Sequence, residues 1–273
     1  MSRLLLVTLI LMGAALSSSA SDVAENNQTA YHAALTAPWH KVFHDSGTRG
    51  DWREHWFVDG LKAEVSNTPE GLYFAAGPLA GDHASHAVLW TRQSFVGDLK
   101  LEFDYTRIDT INRGVAIIYL QTTGTGEPPY AKDIAAWSNE RLIPRMSTYY
   151  DHMNLLHVSF AAYDNRDDIP VDASYIRARR YPRSIFGGSF DATALQPDFN
   201  DTGLFHPGIR HRITLIKKGS DLFMQVRNTG GEHLYRWDIT ETPAITEGRV
   251  GIRHMLQRAS LLSNVTISQL DAN

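Results

Sequence analysis

Cysteine is absent from the sequence. Its absence excludes disulfide bonds, thiolate catalysis and lipid attachment at an N-terminal cysteine. The fold therefore has to be stabilised by an apolar core. A chain of 273 residues is long enough to bury such a core in one all-β domain.

Long apolar runs are also missing, except at the N-terminus. There, Leu4–Leu16 follows Arg3 and precedes the small residues Ser18 and Ala20. A charge, a short apolar run and a small-residue cleavage site in this order predict a secretory signal peptide over residues 1–20. The run is too short for a membrane span. We therefore expect a secreted or periplasmic protein that does not contact the membrane after the signal peptide is removed.

An excess of charge of one sign is missing as well. The formal net charge is −4, and the one arginine cluster, Arg177–Arg183, is too short to follow a phosphate backbone, which argues against nucleic acid as a partner. Among the 12 histidines, His40 and His44 have an HxxxH spacing, but no glutamate follows the first of them. Zinc sites of the HExxH type need that glutamate. The sequence therefore predicts no metal and no cofactor.

Short strands separated by turn residues dominate the sequence instead. They are predicted at Lys62–Ser66, Gly71–Ala75, His86–Gln93, Leu99–Arg107, Val115–Thr122, Leu155–Tyr163, Tyr175–Tyr181, His211–Lys218, Leu222–Arg227, Leu234–Trp237, Arg249–His254 and Ser263–Leu270. Only Lys132–Leu142 is predicted to be helical, as a short lid-like segment. This pattern indicates a β-sandwich or jelly roll. We predict one all-β domain over residues 38–273, preceded by a flexible polar leader over residues 21–37.

The strand predicted at Leu155–Tyr163 is the most informative one. Its residues alternate with a period of two, which is typical of a strand with one buried face. The face predicted to be buried carries Leu156, Val158, Phe160 and Ala162. The face predicted to be open carries His157, Ser159, Ala161 and Tyr163. A histidine and a tyrosine on an open face are candidates for proton transfer.

The next strand, Tyr175–Tyr181, places Arg177 and Arg179 on one face, between two tyrosines. A guanidinium is a planar fork of donors that matches a carboxylate or a sulfate. If the two strands belong to one sheet, His157 and Tyr163 share a surface with these arginines. We hypothesise that this surface binds an anion and transfers a proton.

Several segments of the sequence are together similar to one family. They are DWREHWFVDG, HAVLWTRQSFVGDLKLEFDYTRID, YYDHMNLLHVSFAAYD, YIRARRYP and GRVGIRHM. Over most of its length, from about Trp39 to Leu270, the chain resembles the YesU-like family. The resemblance implies a concanavalin A-like jelly roll whose concave sheet carries a carbohydrate site. Family members often occur with genes for the use of pectin and other uronate polysaccharides.

Two further strands add polar residues to the face of that site. Tyr119 and Gln121 lie opposite the apolar side of Val115–Thr122, and Arg253 lies opposite the apolar side of Arg249–His254. The resulting set of arginine, glutamine, histidine and tyrosine resembles that of jelly-roll polysaccharide lyases. Their motifs RxExR, QIH and YxKxGxYxQ are absent from this sequence.

These residue types suit β-elimination in a polymer that contains uronic acid. Arginine neutralises the uronate carboxylate, a base removes the C5 proton, and an acid protonates the leaving oxygen. We assign His157 as the base, since an ordinary histidine pKa of about 6.5 suits neutral pH, with Tyr150 as the acid and Arg177 as the carboxylate ligand. The other substrate-binding candidates are Arg179, Gln121, Tyr119, Asn154, His152, Tyr163 and Arg253. The predicted function is that of a lyase acting on an acidic polysaccharide.

Three alternatives stay open. The same face would serve a lectin-like module that binds carbohydrate without catalysis. Glycoside hydrolysis needs two carboxylates across the scissile bond, and the nearest pattern, Glu102 and Asp104, is predicted to be a solvated strand side shared with Lys100 and Thr106. A calcium-stabilised structural protein would depend on the acidic loop Asn165–Asp168.

Overall fold

Alternating strands fold into two antiparallel sheets. The structure is a computed structural model, and it describes residues 20–163 and 174–270. In chain order the strands are β1 (His40–Asp45), β2 (Trp56–Asp59), β3 (Glu64–Thr68), β4 (Gly71–Ala75), β5 (Ala87–Val96), β6 (Leu99–Arg107), β7 (Gly114–Gly124), β8 (Met153–Tyr163), β9 (Ser174–Tyr181), β10 (Ala194–Asn200), β11 (Arg210–Lys218), β12 (Asp221–Asn228), β13 (Gly231–Asp238), β14 (Glu247–His254) and β15 (Ala259–Gln269). Short 3-10 turns occur at Trp52–Glu54, His83–Ser85, Arg183–Phe186 and Asp191–Thr193.

The two sheets form the predicted jelly-roll sandwich. The eight-stranded sheet has the order β13-β12-β11-β6-β15-β4-β3, with β1 also paired to β15, and the seven-stranded sheet has the order β10-β9-β8-β7-β14-β5-β2. Of the three strands that were not predicted, β2 and β10 are edge strands and β1 pairs with β15 alone. An edge position explains why β10 tolerates Pro197, since proline has no backbone N–H to donate to a neighbouring strand.

The main core lies between the inner faces of the sheets. Phe103 and Tyr105 of β6 meet Phe160 of β8 edge to face, with ring centroids 6.5 and 5.0 Å apart. Leu156 and Val158 are fully buried in the same cluster, as predicted. Full burial of one such side chain contributes roughly 1.5–3 kcal/mol. The alternation of β8 is therefore fixed by its apolar side.

The segment predicted to be a flexible leader forms a helix instead. Helix α1 (Ala20–Leu35) packs on the outer face of the eight-stranded sheet, where Tyr31 and Ala34 are buried against Ile216 and Phe223. The rings of Tyr31 and Phe223 meet edge to face at 5.7 Å. Tyr31 and Ala34 are three residues apart and therefore share one face of the helix. Two apolar residues in an otherwise polar segment are too weak a pattern to predict a helix from the sequence.

The outer face of the seven-stranded sheet is covered by the connection from β7 to β8. This β7–β8 connection contains a 3-10 segment, Ile134–Arg141, and helix α2 (Met146–His152). A lid-like segment was predicted here, at 132–142, but it is a 3-10 helix that is broken at Trp137, where φ is −127° and ψ is 32°. Its apolar residues and Tyr149 of α2 form a second buried cluster with the sheet.

Two expectations fall on residues outside the described ranges. They are the signal peptide, of which residues 1–19 are not described, and the acidic loop Asn165–Asp168. Among the helices of the described part, none is both long and apolar enough to cross a membrane. Export therefore stays a prediction.

Replacement of Tyr31 by alanine tests whether α1 is part of the folded domain. The substitution removes a buried ring from the contact with Phe223, and we expect it to lower the free energy of unfolding by about 2–4 kcal/mol. Chemical denaturation measures this change. His32→Ala is the matched control, because His32 is exposed on the same helix. Equal stabilities of the two variants would show that α1 does not contribute to the fold.

Candidate functional site

The predicted pairing of the two central strands is present. His157 of β8 lies opposite Arg179 of β9, and Ser159 lies opposite Arg177. Directly paired residues project from the same side of a sheet, so His157, Arg177 and Arg179 share one face. This is the outer face of the seven-stranded sheet, on which Tyr119 lies next to His157 in the same row.

Three aromatic rings fill the β5 and β14 side of this outer face. Trp90, Tyr119 and Tyr149 are nearly parallel, with centroids 5.5 Å apart for Trp90–Tyr119 and 5.7 Å for Tyr119–Tyr149. The stack needs Gly251 beneath it, because a Cβ at that residue would lie 2.4 Å from the Trp90 ring. All three rings are fully buried. This half of the face is therefore occupied by the protein itself.

The stack is tied to one buried carboxylate. Asp59 Oδ2 accepts hydrogen bonds from Trp90 Nε1 at 2.7 Å, Arg141 Nε at 2.6 Å and Tyr149 OH at 2.8 Å. Burial raises the pKa of Asp59, and the charge of Arg141 opposes that shift. Arg141 also donates to the carbonyls of Trp137 and Ile134. The network fastens the β7–β8 connection to the sheet.

His157 is held as a neutral imidazole. Its side chain is buried, and burial, followed by repulsion from Arg179 and Arg253, holds its pKa well below the usual 6.5. Nε2 lies 2.6 Å from Ser159 Oγ, whereas Nδ1 is buried without a hydrogen-bond partner in the described structure. The Tyr181 ring meets the imidazole edge to face at 5.3 Å. The hydroxyl of Tyr181 is also buried and unpaired within the described residues.

The two predicted anion ligands of β9 differ in their partners. Arg177 forms an ion pair with Asp198 of β10 at 2.9 Å, so the carboxylate that it binds is one of the protein's own. Arg179 donates to Phe190 O and Thr193 Oγ1, each at 3.1 Å. Within residues 20–163 and 174–270, no carboxylate pairs with Arg179. Arg177 is thus less suited than Arg179 to bind a substrate anion.

Half-buried aromatic residues flank the arginines of β9. Phe190 lies under its guanidinium, 4.3 Å from the ring centroid, and Tyr150 packs 5.1 Å from Phe190 and 6.2 Å from Tyr181. Tyr175 is half-buried on the same strand, beneath the guanidinium of Arg177. We call Tyr150, Tyr175, Arg179, Tyr181 and Phe190 the β9 site.

Tyr163 does not belong to this face, contrary to the prediction. Ala161 has a positive φ of 44°, and the register of β8 with β9 shifts between Ser159 and Ala162. The bulge reverses the alternation, so that Ala161 points into the main core and Ala162 points outward. The Tyr163 hydroxyl instead accepts a hydrogen bond from Arg107 of the other sheet at 2.9 Å.

Gln121 and Asn154 also point away from the predicted site. A second bulge, at Gln121 itself with φ 48°, directs its amide to the carbonyls of Phe95 and Gly97 at 3.3 and 2.9 Å. Asn154 is an odd number of residues from His157, so it projects from the other face of β8. There its Oδ1 accepts from Arg180 Nη2 at 2.6 Å. Neither side chain reaches the β9 site.

Arg253 and His152 are on the correct side of the sheet, but they have structural contacts. Arg253 is fully buried, donates to Pro144 O at 2.6 Å and lies 4.5 Å from the centre of the Tyr149 ring. His152 stacks on Tyr130 at 3.7 Å, and burial lowers its pKa. Arg253 therefore fixes the β7–β8 connection, and His152 fixes its end.

Four carboxylates around this face are already bound. An arginine contacts each of Asp59, Asp133, Asp151 and Asp198. Glu102 and Asp104 lie on the outer face of the other sheet, where both pair with Arg212 at 3.6 Å. None of these acids is free to serve in glycoside hydrolysis. Among the described residues, no three histidine, aspartate or glutamate side chains are grouped so that they could hold a metal ion.

Several residues of the face were not found from the sequence. Asp59, Arg141 and Phe190 come from a strand end, a 3-10 segment and a loop that are far apart in the chain. Asp59 precedes a glycine and has the local pattern of a turn residue. Only the density of tyrosines before β8 and at the ends of β9 was a sequence signal for this region.

The sandwich is similar to solved structures that share little sequence with this chain. A Bacillus subtilis protein of unknown function with a galectin-like fold has a TM-score of 0.63 and 15% identity, over 85% of this chain and 98% of its own. A Lotus tetragonolobus seed lectin has a TM-score of 0.56 and 12% identity, over 86% of this chain and 100% of its own. A Bauhinia forficata lectin, solved in complex with GalNAc, has the same four values.

These similarities establish a lectin-like jelly-roll fold. No protein-family model matches the chain, and no curated protein sequence matches it. The fold implied by the YesU-like resemblance is confirmed, whereas membership of that family stays a prediction.

Asp59→Asn tests whether the buried carboxylate fastens the β7–β8 connection. The variant leaves the Arg141 guanidinium buried without a counter-charge, and we expect the free energy of unfolding to fall by about 3–5 kcal/mol. Glu247→Gln is the control, since it breaks the exposed pair with Lys132 and should cost about 1 kcal/mol or less. Denaturation followed by tryptophan fluorescence measures both. Similar losses in the two variants would contradict this role for Asp59.

Proposed function

We propose that the protein binds carbohydrate at the β9 site, as a lectin-like module, and that the bound sugar carries an acidic group. The observation that carries this proposal is the Arg179 guanidinium, which lies over the half-buried ring of Phe190 and has no carboxylate partner in the described structure. The export predicted from residues 1–20 would bring such a module to extracellular or periplasmic polysaccharide.

The aromatic residues supply the apolar part of such a site. Tyr150, Tyr175 and Phe190 are half-buried, so that part of each residue is exposed to solvent. A sugar ring presents C–H groups that pack on aromatic rings, and its hydroxyls need nearby polar groups. Tyrosine hydroxyls can both donate and accept hydrogen bonds.

The charge of the site favours an acidic sugar over a neutral one. A guanidinium binds a carboxylate through two parallel hydrogen bonds. Arg179 uses one nitrogen, Nη1, for its two hydrogen bonds to Phe190 O and Thr193 Oγ1. Its other nitrogens are the donors that a uronate or sulfate group would use.

Unpaired polar groups beside Arg179 support a ligand there. Buried polar atoms are almost always hydrogen-bonded, yet Tyr181 OH and His157 Nδ1 lack partners among the described residues. The imidazole and the Tyr181 ring are in contact at 5.3 Å. Each atom keeps a hydrogen-bonding capacity that a sugar hydroxyl or a water can use.

The lectin-like fold supports the same proposal. Several structures with this fold are lectins, and the Bauhinia forficata lectin is in complex with GalNAc. Their identity to this chain is 12%, so the choice of face and of sugar in this chain depends on its own residues.

Arg179→Ala tests the proposal directly. Affinity electrophoresis with alginate, pectic rhamnogalacturonan, glucuronan, a glycosaminoglycan and a neutral glucan measures binding. We expect an acidic polymer to retard the native protein and the substitution to weaken binding by about tenfold or more, since a charged hydrogen bond is lost. Arg212→Ala removes the same charge from the other sheet and should leave binding unchanged. Equal binding by both variants would contradict the proposed site.

A second candidate function is β-elimination at the same site. The observation that favours it is the position of His157, which lies opposite Arg179 on the same face of the sheet. Burial holds the pKa of His157 well below 6.5, so the imidazole is neutral. In this reaction His157 removes the C5 proton of a uronate, the C4–O bond breaks as the C4=C5 double bond forms, and a tyrosine protonates the leaving oxygen. Tyr150 is half-buried and faces the site.

Ultraviolet absorbance separates elimination from binding alone. If the protein is a lyase, incubation with the acidic polymer that it binds produces the absorbance of the C4=C5 double bond, and His157→Ala lowers the rate by about 100-fold or more. His44→Ala is the control, since His44 is exposed on β1 of the other sheet. Retention of the polymer without any new absorbance would reject elimination and leave the lectin-like function.

A further inference from the structure

A cavity of about 220 Å³ lies at one edge of the sandwich, between the two sheets. Leu156 of β8 and Arg180 of β9 line it on one side. The turn from β11 to β12 and the segment from Ile239 to Ile245, which connects β13 to β14, line the rest. This cavity is distinct from the β9 site, because it lies on the opposite face of the seven-stranded sheet.

Two cations extend the inward-facing apolar rows to this cavity. On β9 the row is Ile176, Ala178 and then Arg180, and on β11 it is Ile213, Leu215 and then Lys217. Arg180 is 2% exposed and Lys217 is 5% exposed. Both line the cavity, and no aspartate or glutamate is among its lining residues. The sequence therefore places two buried positive charges where the pattern would otherwise continue with apolar residues.

The partners of these cations are neutral oxygens. Arg180 donates to Pro243 O at 3.0 Å, to Asn154 Oδ1 at 2.6 Å and to Tyr181 O. Lys217 Nζ donates to Ile245 O at 2.7 Å, and it carries three N–H donors. Across the described residues, no ion pair forms with either cation.

Burial without a counter-ion disfavours the charged form of both side chains. It lowers the pKa of Arg180 to about 10 and also lowers that of Lys217. The acidic group that acts on Lys217 is Asp98, which raises its pKa but is engaged by the backbone N–H of Gly219. Buried charges in proteins are normally paired or bound to an ion.

We propose that this cavity is an oxyanion site, in which Arg180 and Lys217 bind a sulfate, phosphate or carboxylate group. The cavity has room for such a group, since a water molecule takes a share of about 30 Å³ in the liquid. The group would accept from the free donors of Lys217 and face the guanidinium of Arg180. It would also join the Ile239–Ile245 segment to both sheets. A free inorganic ion and the acidic group of a sugar share this chemistry.

Calorimetric titration with sodium sulfate at constant ionic strength tests the proposal. The expected result is a saturable binding heat in the native protein. Lys217→Met keeps the length of the side chain and removes its charge, and it should weaken sulfate binding by about tenfold or more. Lys132→Met is the matched control, since Lys132 is exposed and does not line the cavity. Absence of a saturable heat, or equal binding by the two variants, would overturn the proposal.

A second measurement does not depend on the fold of a variant. Acetic anhydride acetylates free amines, and mass spectrometry of the native protein gives the rate at Lys217 and at Lys132. Bound sulfate should slow the reaction of Lys217 at least severalfold and leave that of Lys132 unchanged. Equal rates with and without sulfate would reject the site.

The source of the oxyanion is identified by competition. Phosphate and oligogalacturonate are each added to the sulfate-bound protein and to its Arg179→Ala variant. Displacement by phosphate alone identifies a free inorganic ion. Displacement by oligogalacturonate that persists in the Arg179→Ala variant identifies a sugar acid bound at this cavity, independently of the β9 site. If neither displaces sulfate, the site does not bind oxyanions as a class, and the proposal fails.

Discussion

The hydrogen bonds to Asp59 hold together the elements that cover the outer face of the seven-stranded sheet. One carboxylate oxygen accepts from Trp90 of a strand, Arg141 of a 3-10 segment and Tyr149 of a helix. A buried carboxylate is stable only with donors, and a buried guanidinium only with a counter-charge. Each of the three elements is therefore held by the other two, and the β7–β8 connection cannot lift from the sheet without leaving a polar group unpaired.

This network also determines which part of the face remains for a ligand. The β5 and β14 side is filled by the stacked rings over Gly251, all three of which are fully buried. On the β9 side the rings of Tyr150, Tyr175 and Phe190 stay half-buried. Rigid packing on one side supports the positions of polar groups on the other, and a binding site benefits from such preorganisation. The same covering that closes one half of the sheet therefore shapes the other half.

The fold could be predicted from the sequence because period-two alternation and turn residues are local signals. The shared face of His157, Arg177 and Arg179 was also predicted, from the alternation of two successive strands. The faces of Tyr163 and Gln121 were predicted wrongly, because a positive φ at Ala161 and at Gln121 itself reverses the alternation of the strand. The residue types at these two bulges do not predict them. Asp198, which neutralises Arg177, lies on a strand that was not predicted at all.

Strand β9 shows how one alternating sequence creates two different charged environments. Arg177 and Arg179 project outward, where Asp198 neutralises the first and the ring of Phe190 lies under the second. Arg180 projects inward and meets only neutral oxygens beside Lys217. Solvent and a nearby carboxylate lower the electrostatic cost for Arg177, and stacking on Phe190 lowers it for Arg179. Arg180 has neither, so its charge is the one in the strand that most requires an external anion.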